Sequence, residues 1–199
     1  MNHLYIYRLT ANVGFAPCYD DDFLTLACCK PKIRYDVGKK LRSGELNSAW
    51  LLGIGGVNLK NGEANRWLYA AKVTEVIPYG KYFTDPKYQE RKDCIYTIEN
   101  PEDIALGDAS LLRYKRNDKM DGNVKHHPKP KDWDVDWGVP DKKRSKECYV
   151  LASTQFHRFT EEEAHRLMAK HPDYTHYGRN HRKPFEPSPE FIADMEALF

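Results

Sequence analysis

The sequence predicts an α+β fold: a small mixed β-barrel of about five strands, decorated by short helices and ending in a C-terminal helical tail. Three observations lead there. Strand-like runs dominate the chain up to residue 153. Gly or Pro punctuates most of them, and helical stripes with caps are confined to the end.

Residues 3–9 (HLYIYRL) alternate, with Leu4 and Ile6 opposite Tyr5 and Tyr7, as in a half-buried strand. Residues 48–54 (SAWLLGI) form a short apolar run ended by Gly55-Gly56. Residues 66–77 carry the longest strand signal, with Trp67, Tyr69, Ala71 and Val73 on one face and a stop at Pro78 and Gly80. Residues 109–115 and 147–153 complete the set. Pro86 divides residues 79–92, which predicts two irregular turns there. Thr160 and Glu163 form a capping box ahead of a helix that Pro172 ends. Ser188-Pro189-Glu190 opens a last helix, whose stripe of Phe191, Ile192, Met195, Leu198 and Phe199 is expected to pack on the barrel. Residues 115–146 have almost no apolar periodicity and read as an inserted loop, functional or disordered. The expected organisation is a barrel over 1–160, with the 115–146 loop inserted, and a helical extension over 161–199 packed on it.

A chain of 199 residues with 41% hydrophobic and 13% aromatic residues can build a core without staples. Mean hydropathy of -0.75 and the lack of an 18-residue apolar run exclude a membrane span. The opening MNHLYIYRLT shows no basic flank or cleavage site, so no signal peptide is expected. Five cysteines, two of them adjacent, suit a reducing cytoplasm better than a disulfide framework. Net charge is +2, but the tail beyond residue 185 holds four acids and no Lys or Arg. The body therefore carries +6, compatible with a phosphate-bearing partner and equally with ordinary surface scatter.

Most motifs read more simply as structure than as chemistry. Gly53-Ile54-Gly55-Gly56 lacks the spacing of a phosphate loop and reads as strand-ending turn geometry. Cys28-Cys29 lacks the gap of a metal or redox pair, and His165, His171, His176 and His181 have no companion cysteines. No metal or cofactor is expected. Residues 132–137 (DWDVDW) lack the Gly and terminal Glu of a calcium loop, which leaves Trp133 and Trp137 as anchors for a ligand or partner. The segment from Gly14 to Arg34, GFAPCYDDDFLTLACCKPKIR, is the most distinctive. Gly-Phe-Ala-Pro makes a rigid loop after the first strand. Lys30, Lys32 and Arg34 then stand beside a proline-fixed backbone, as a cradle for phosphate and a base face or as a solvated basic edge.

GFAP, TLACCKPKIR, LLGIGG, LYAAKVTEVIPYGKYFTDPKY, LGD, VKHHPKP and YVLASTQFHRF occur in that order over roughly residues 3–160. In these motifs the chain resembles the nucleotide modification associated domain 2 family, bacterial and phage proteins named from their neighbourhood with DNA-base-modifying enzymes. It departs from the family pattern at Val37-Gly38-Lys39, followed by an insertion through Asn47, and beyond His157. The order of features is also similar to PUA-like domains (EVE, YTH and ASCH), β-barrels of which several seat one flipped or modified base at the barrel mouth. That likeness implies fold more than function.

The resemblance implies a domain that recognises a base, modified in the leading reading, in DNA or as a nucleotide. Phe15 and Trp133 or Trp137 would stack, and Lys30 and Arg34 would hold phosphate. Backbone around Ala16 and Ser153 would read the base edge, with Asp85 and His126 as polar contacts. An enzyme acting on nucleotides would instead draw on Cys29, Lys30, Asp85, His126 and His127 as nucleophile or general acid and base. A third class is a protein-interaction or counter-defence module that uses the 115–146 loop or the C-terminal helix.

Overall fold

The computed structural model describes residues 1–20, 22–98, 112–114, 148–175, 178 and 182–199. Two four-stranded sheets, a two-stranded ribbon and four α-helices make up these residues, a mixed α+β arrangement. The first sheet runs β1 (Asn2–Leu9), β4 (Ser48–Gly55), β5 (Trp67–Lys72) and β10 (Gln155–Arg158). The second runs β2 (Cys18–Tyr19), β3 (Leu24–Leu26), β9 (Tyr149–Ser153) and β6 (Glu75–Pro78). The ribbon pairs β7 (Tyr96–Ile98) with β8 (Leu112–Tyr114).

These sheets are not the closed barrel of about five strands that the pattern predicts. The strand signal over 66–77 is two strands, broken at Val73 and Thr74, and its halves join different sheets. The Val73 N–H donates to Ala49 in the first sheet and the Thr74 N–H to Ala152 in the second, both at 2.9 Å. The last strands do the same: β9 ends at Ser153 in one sheet and β10 begins at Gln155 in the other. Apolar alternation across 66–77 is blind to this corner, because the backbone turns without interrupting the pattern.

Two further expectations change. Strand β1 is buried on both faces, not half-buried. It pairs with β4 in parallel, and parallel strands are normally covered on both sides. Tyr5, Tyr7 and Leu9 face a core shared with the second sheet, while Leu4 and Ile6 face the C-terminal helices. Trp67 also leaves the face of Tyr69 and Ala71: a register shift at Gly53/Ile54 places it with the helices, and Leu68 with Tyr69.

Helix α1 (Pro31–Arg42) stands where the sequence reads as basic loop and turn. Its signals are Pro31 at the first position, Ile33, Val37 and Leu41 at four-residue spacing, and Lys39, Lys40 and Arg42 at the end that favours cations. Gly38 lies inside it because a Cβ there would sit 2.3 Å from the Tyr149 ring. Helix α2 (Tyr79–Thr84) and a 3₁₀ turn (Pro86–Tyr88) are the two irregular turns expected around Pro86.

Helix α3 (Glu161–Lys170) carries the full Thr160–Glu163 capping box, and α4 (Pro189–Glu196) starts at Ser188. Phe191 and Met195 of α4 are fully buried against Trp67, Leu167 and Tyr174, with Tyr174 stacked on Phe191 at 4.2 Å. Burial of such side chains contributes roughly 1.5–3 kcal/mol each. The main chain of Phe185 also pairs with Leu4 of β1.

Candidate functional site

Where β1 leaves the first sheet, the chain makes the Gly14–Pro17 loop, and the start of α1 comes to lie beside it. Between these pieces is a cavity of about 110 Å³. Arg8, Leu9 and Thr10 line one side, Val13, Phe15 and Ala16 the loop side, and Cys29 and Lys30 the helix side. Four of the residues singled out in the sequence thus meet in one place: Phe15, Ala16, Cys29 and Lys30. Phe15 is a buried wall, 2% exposed, with its ring in the core beneath the second sheet.

Cys29 and Lys30 both adopt left-handed backbone, with φ of 60° and 47°. Two successive side-chain-bearing residues in this region cost on the order of 1–3 kcal/mol each, so the surroundings must hold them. Arg34, one turn into α1, does so. Its Nε donates to the Cys29 carbonyl at 2.8 Å, its Nη1 to the Tyr149 carbonyl at 2.9 Å, and its guanidinium lies on the Tyr79 ring. Arg34 is fully buried, so it braces the wall behind the cavity instead of facing it.

The electrostatics favour an anion. Among the described residues two cations line the cavity and no carboxylate does. Arg8 is anchored by the Gly55 carbonyl at 3.1 Å and by Asn65 Oδ1 at 2.7 Å. Lys30 Nζ lies 5.3 Å above the Tyr7 ring and, among the described residues, has no acidic partner. Burial holds this ammonium below the usual lysine range, against a weaker opposing pull from Cys29. Helix α1 begins beneath it with no side-chain cap and no acid in its first turn. Its first N–H groups add positive potential at the cavity.

The other expected residues lie elsewhere. Ser153 is buried at the corner between sheets, where its Oγ donates to the Lys72 carbonyl at 2.6 Å and accepts from the Gln155 N–H at 3.0 Å. Asp85 caps the 3₁₀ turn by accepting from the Lys87 N–H. His126, His127, Trp133 and Trp137 lie outside the described residues, as does the rest of the 115–146 loop. Arg8 is the residue the sequence reasoning missed. A cation ending an apolar strand reads as a solvent-facing terminus, and only the Gly55–Asn65 turn folding over it shows otherwise.

A second, wider cleft of about 510 Å³ is lined by Asp20, Phe23, Lys87, Tyr88 and Arg91 among others. Behind it, buried Asp93 accepts from the Tyr82 hydroxyl at 2.6 Å and from Thr25 Oγ1 at 2.7 Å, while Arg91 bonds Thr25, Asp20 and the carbonyls of Cys18 and Phe23. Burial pushes the Asp93 carboxyl up, against the pull of Arg91. Lys87 and Arg91 already cover the Phe23 ring, so this group is an internal brace for the 86–96 segment.

The model of the nucleotide modification associated domain 2 matches residues 1–198. The chain belongs to that family. The match runs through α3 and α4, so the helical tail lies within the family's domain and beyond the motif resemblance that ended near residue 160. No curated protein and no solved structure matches the chain. Among the described residues no helix is long and apolar enough to cross a membrane, and no cluster of three metal-ligating side chains occurs.

Proposed function

We propose that this member of the nucleotide modification associated domain 2 family binds a nucleotide, free or within DNA, through the cavity at the start of α1. In the finer form of this reading the base it recognises is a modified one. The observation that carries the proposal is a cavity whose described lining holds Arg8 and Lys30 and no acid, with the uncapped start of helix α1 beside the Phe15–Ala16 wall. Phosphate is the anion such a terminus favours, and a neighbouring ammonium strengthens the contact. Arg8 takes the place that the sequence reading had given to Arg34. A cavity of about 110 Å³ is well below the roughly 300–1,000 Å³ of a drug-sized site, which suits one base-sized ring. We read the two sheets as an opened relative of the PUA-like barrel, supported by the corner where strands pass from one sheet to the other. Five cysteines, none in a disulfide and four of them buried, support a reducing compartment such as the cytoplasm.

Titration with nucleotides and short single- and double-stranded oligonucleotides at two salt concentrations tests this. Lys30→Ala is expected to weaken binding roughly tenfold and to lower the salt slope by about one, the mark of one lost phosphate contact. Unchanged affinity and slope in that variant would remove phosphate from the cavity.

A further inference from the structure

Gly53 of β4 lies in register between Tyr7 of β1 and Tyr69 of β5. A side chain at Gly53 would strike the Tyr69 ring at 2.1 Å and Leu9 at 2.8 Å, so the Tyr69 ring and Leu9 close over the glycine. Tyr7 and Tyr69 meet edge to face at 6.2 Å, and both are at most 1% exposed. Among the described residues neither hydroxyl has a hydrogen-bond partner. A buried phenol hydroxyl without a partner is costly, and two side by side in an otherwise apolar core are an anomaly that sheet packing does not require. Phe in both places would fill the same space.

Each of the two phenols adjoins a residue of the cavity lining. Lys30, which lines the cavity, lies over the Tyr7 ring, and Leu9, which also lines it, packs beside Tyr69. Cys29 is close enough to Tyr7 to help burial push its phenol above the ordinary range. Lys30 thus lies against both the Tyr7 ring and the cavity, and among the described residues its flexible stem has no acidic partner to hold it.

We infer that Tyr7 and Tyr69 are specificity residues whose hydroxyls hydrogen-bond the polar edge of a nucleobase once Lys30 has swung from the Tyr7 ring to the phosphate. The inference rests on the cavity's being a nucleotide site and states what the deep end of that site reads. A hydroxyl both donates and accepts, so the pair suits an edge with a carbonyl beside an N–H, or an exocyclic hydroxyl added to the ring. A ligand lacking such groups leaves both hydroxyls unpaired, and recognition of this kind discriminates strongly against it.

The test is calorimetric titration of the protein with the four deoxynucleoside 5′-monophosphates and 5-hydroxymethyl-dCMP, the tightest being carried to Tyr7→Phe and Tyr69→Phe. Each variant is expected to bind about five- to tenfold more weakly, the loss of one net hydrogen bond, with a ligand-free Tm no lower than that of the parent. The corresponding nucleoside, without phosphate, is expected to show the same fold-loss, which places the hydroxyls on the base. Unchanged affinity in both variants overturns the inference while leaving the cavity a nucleotide site. A fallen Tm with unchanged affinity also overturns it, since an internal water would then hold the hydroxyls. A loss confined to the nucleotide assigns them to phosphate and overturns it as well. Parent protein that binds none of the five overturns the nucleotide reading itself, and this inference with it.

Discussion

A Cβ built on Gly55 would lie 1.7 Å from the Glu63 carbonyl oxygen, because the 56–65 turn folds tightly back on the end of β4. The Gly55 carbonyl also anchors Arg8, so the same residue serves the turn and the cavity. Gly55→Ala is expected to cost about 3 kcal/mol or more, read as a lower urea midpoint at unchanged slope. The sequence reading of this run as turn geometry is right in kind, though Gly53 sits within β4 with Tyr69 across it, not in a turn. That Phe15, Ala16, Cys29 and Lys30 come together is legible in the sequence, because Gly, Pro and adjacent cations mark unusual backbone. The burial of Arg34 is not legible from its charge, because Pro31 starts a helix whose turn carries it inward. Tyr7 and Tyr69 gave no warning: an alternating strand shows which face a tyrosine takes, not whether its hydroxyl finds a partner.

Helix α3 illustrates an element whose sequence signal and structure agree. The Glu163 carboxylate accepts from the Thr160 N–H at 2.8 Å and pairs with His157 Nε2 at 3.0 Å, and the His157 hydrogen bond is the larger cause of its depressed pKa. A carboxyl whose pKa is lower folded than unfolded adds stability above the unfolded value of about 4.3, and that stability is lost as pH falls through the folded value. Amide protection in α3, taken relative to the intrinsic exchange rate at each pH, is therefore expected to fall below about pH 4, and Glu163→Gln to flatten that dependence. The effect is modest, since the side chain is 28% exposed and water screens the pair. Helix α1 was missed because its start overlaps the basic run of Lys30, Lys32 and Arg34, which drew the reading toward surface charge.

For the whole molecule, the inner part of the C-terminal stripe is core, while Phe199 at its end is 40% exposed. Phe191 and Met195 are fully buried, His171 holds Asp194 at 2.7 Å, and Lys72 holds Glu196. Removal of residues 186–199 is expected to expose Trp67 and the helix-facing side of the first sheet, lowering Tm by 10 °C or more, about what losing two buried side chains implies. Differential scanning fluorimetry reads this; an unmoved Tm would return the stripe to the role of a partner surface. The α+β class was legible in the alternation of runs and caps, but the division into two sheets was not, since it depends on where two continuous strand signals change partners. That double change of partners has a consequence for unfolding. At Val73–Thr74 and again at Thr154 the chain leaves one sheet for the other, so neither sheet can peel away without drawing residues out of its neighbour. The two halves are expected to melt as one cooperative unit, read as a single calorimetric peak whose van't Hoff and calorimetric enthalpies coincide.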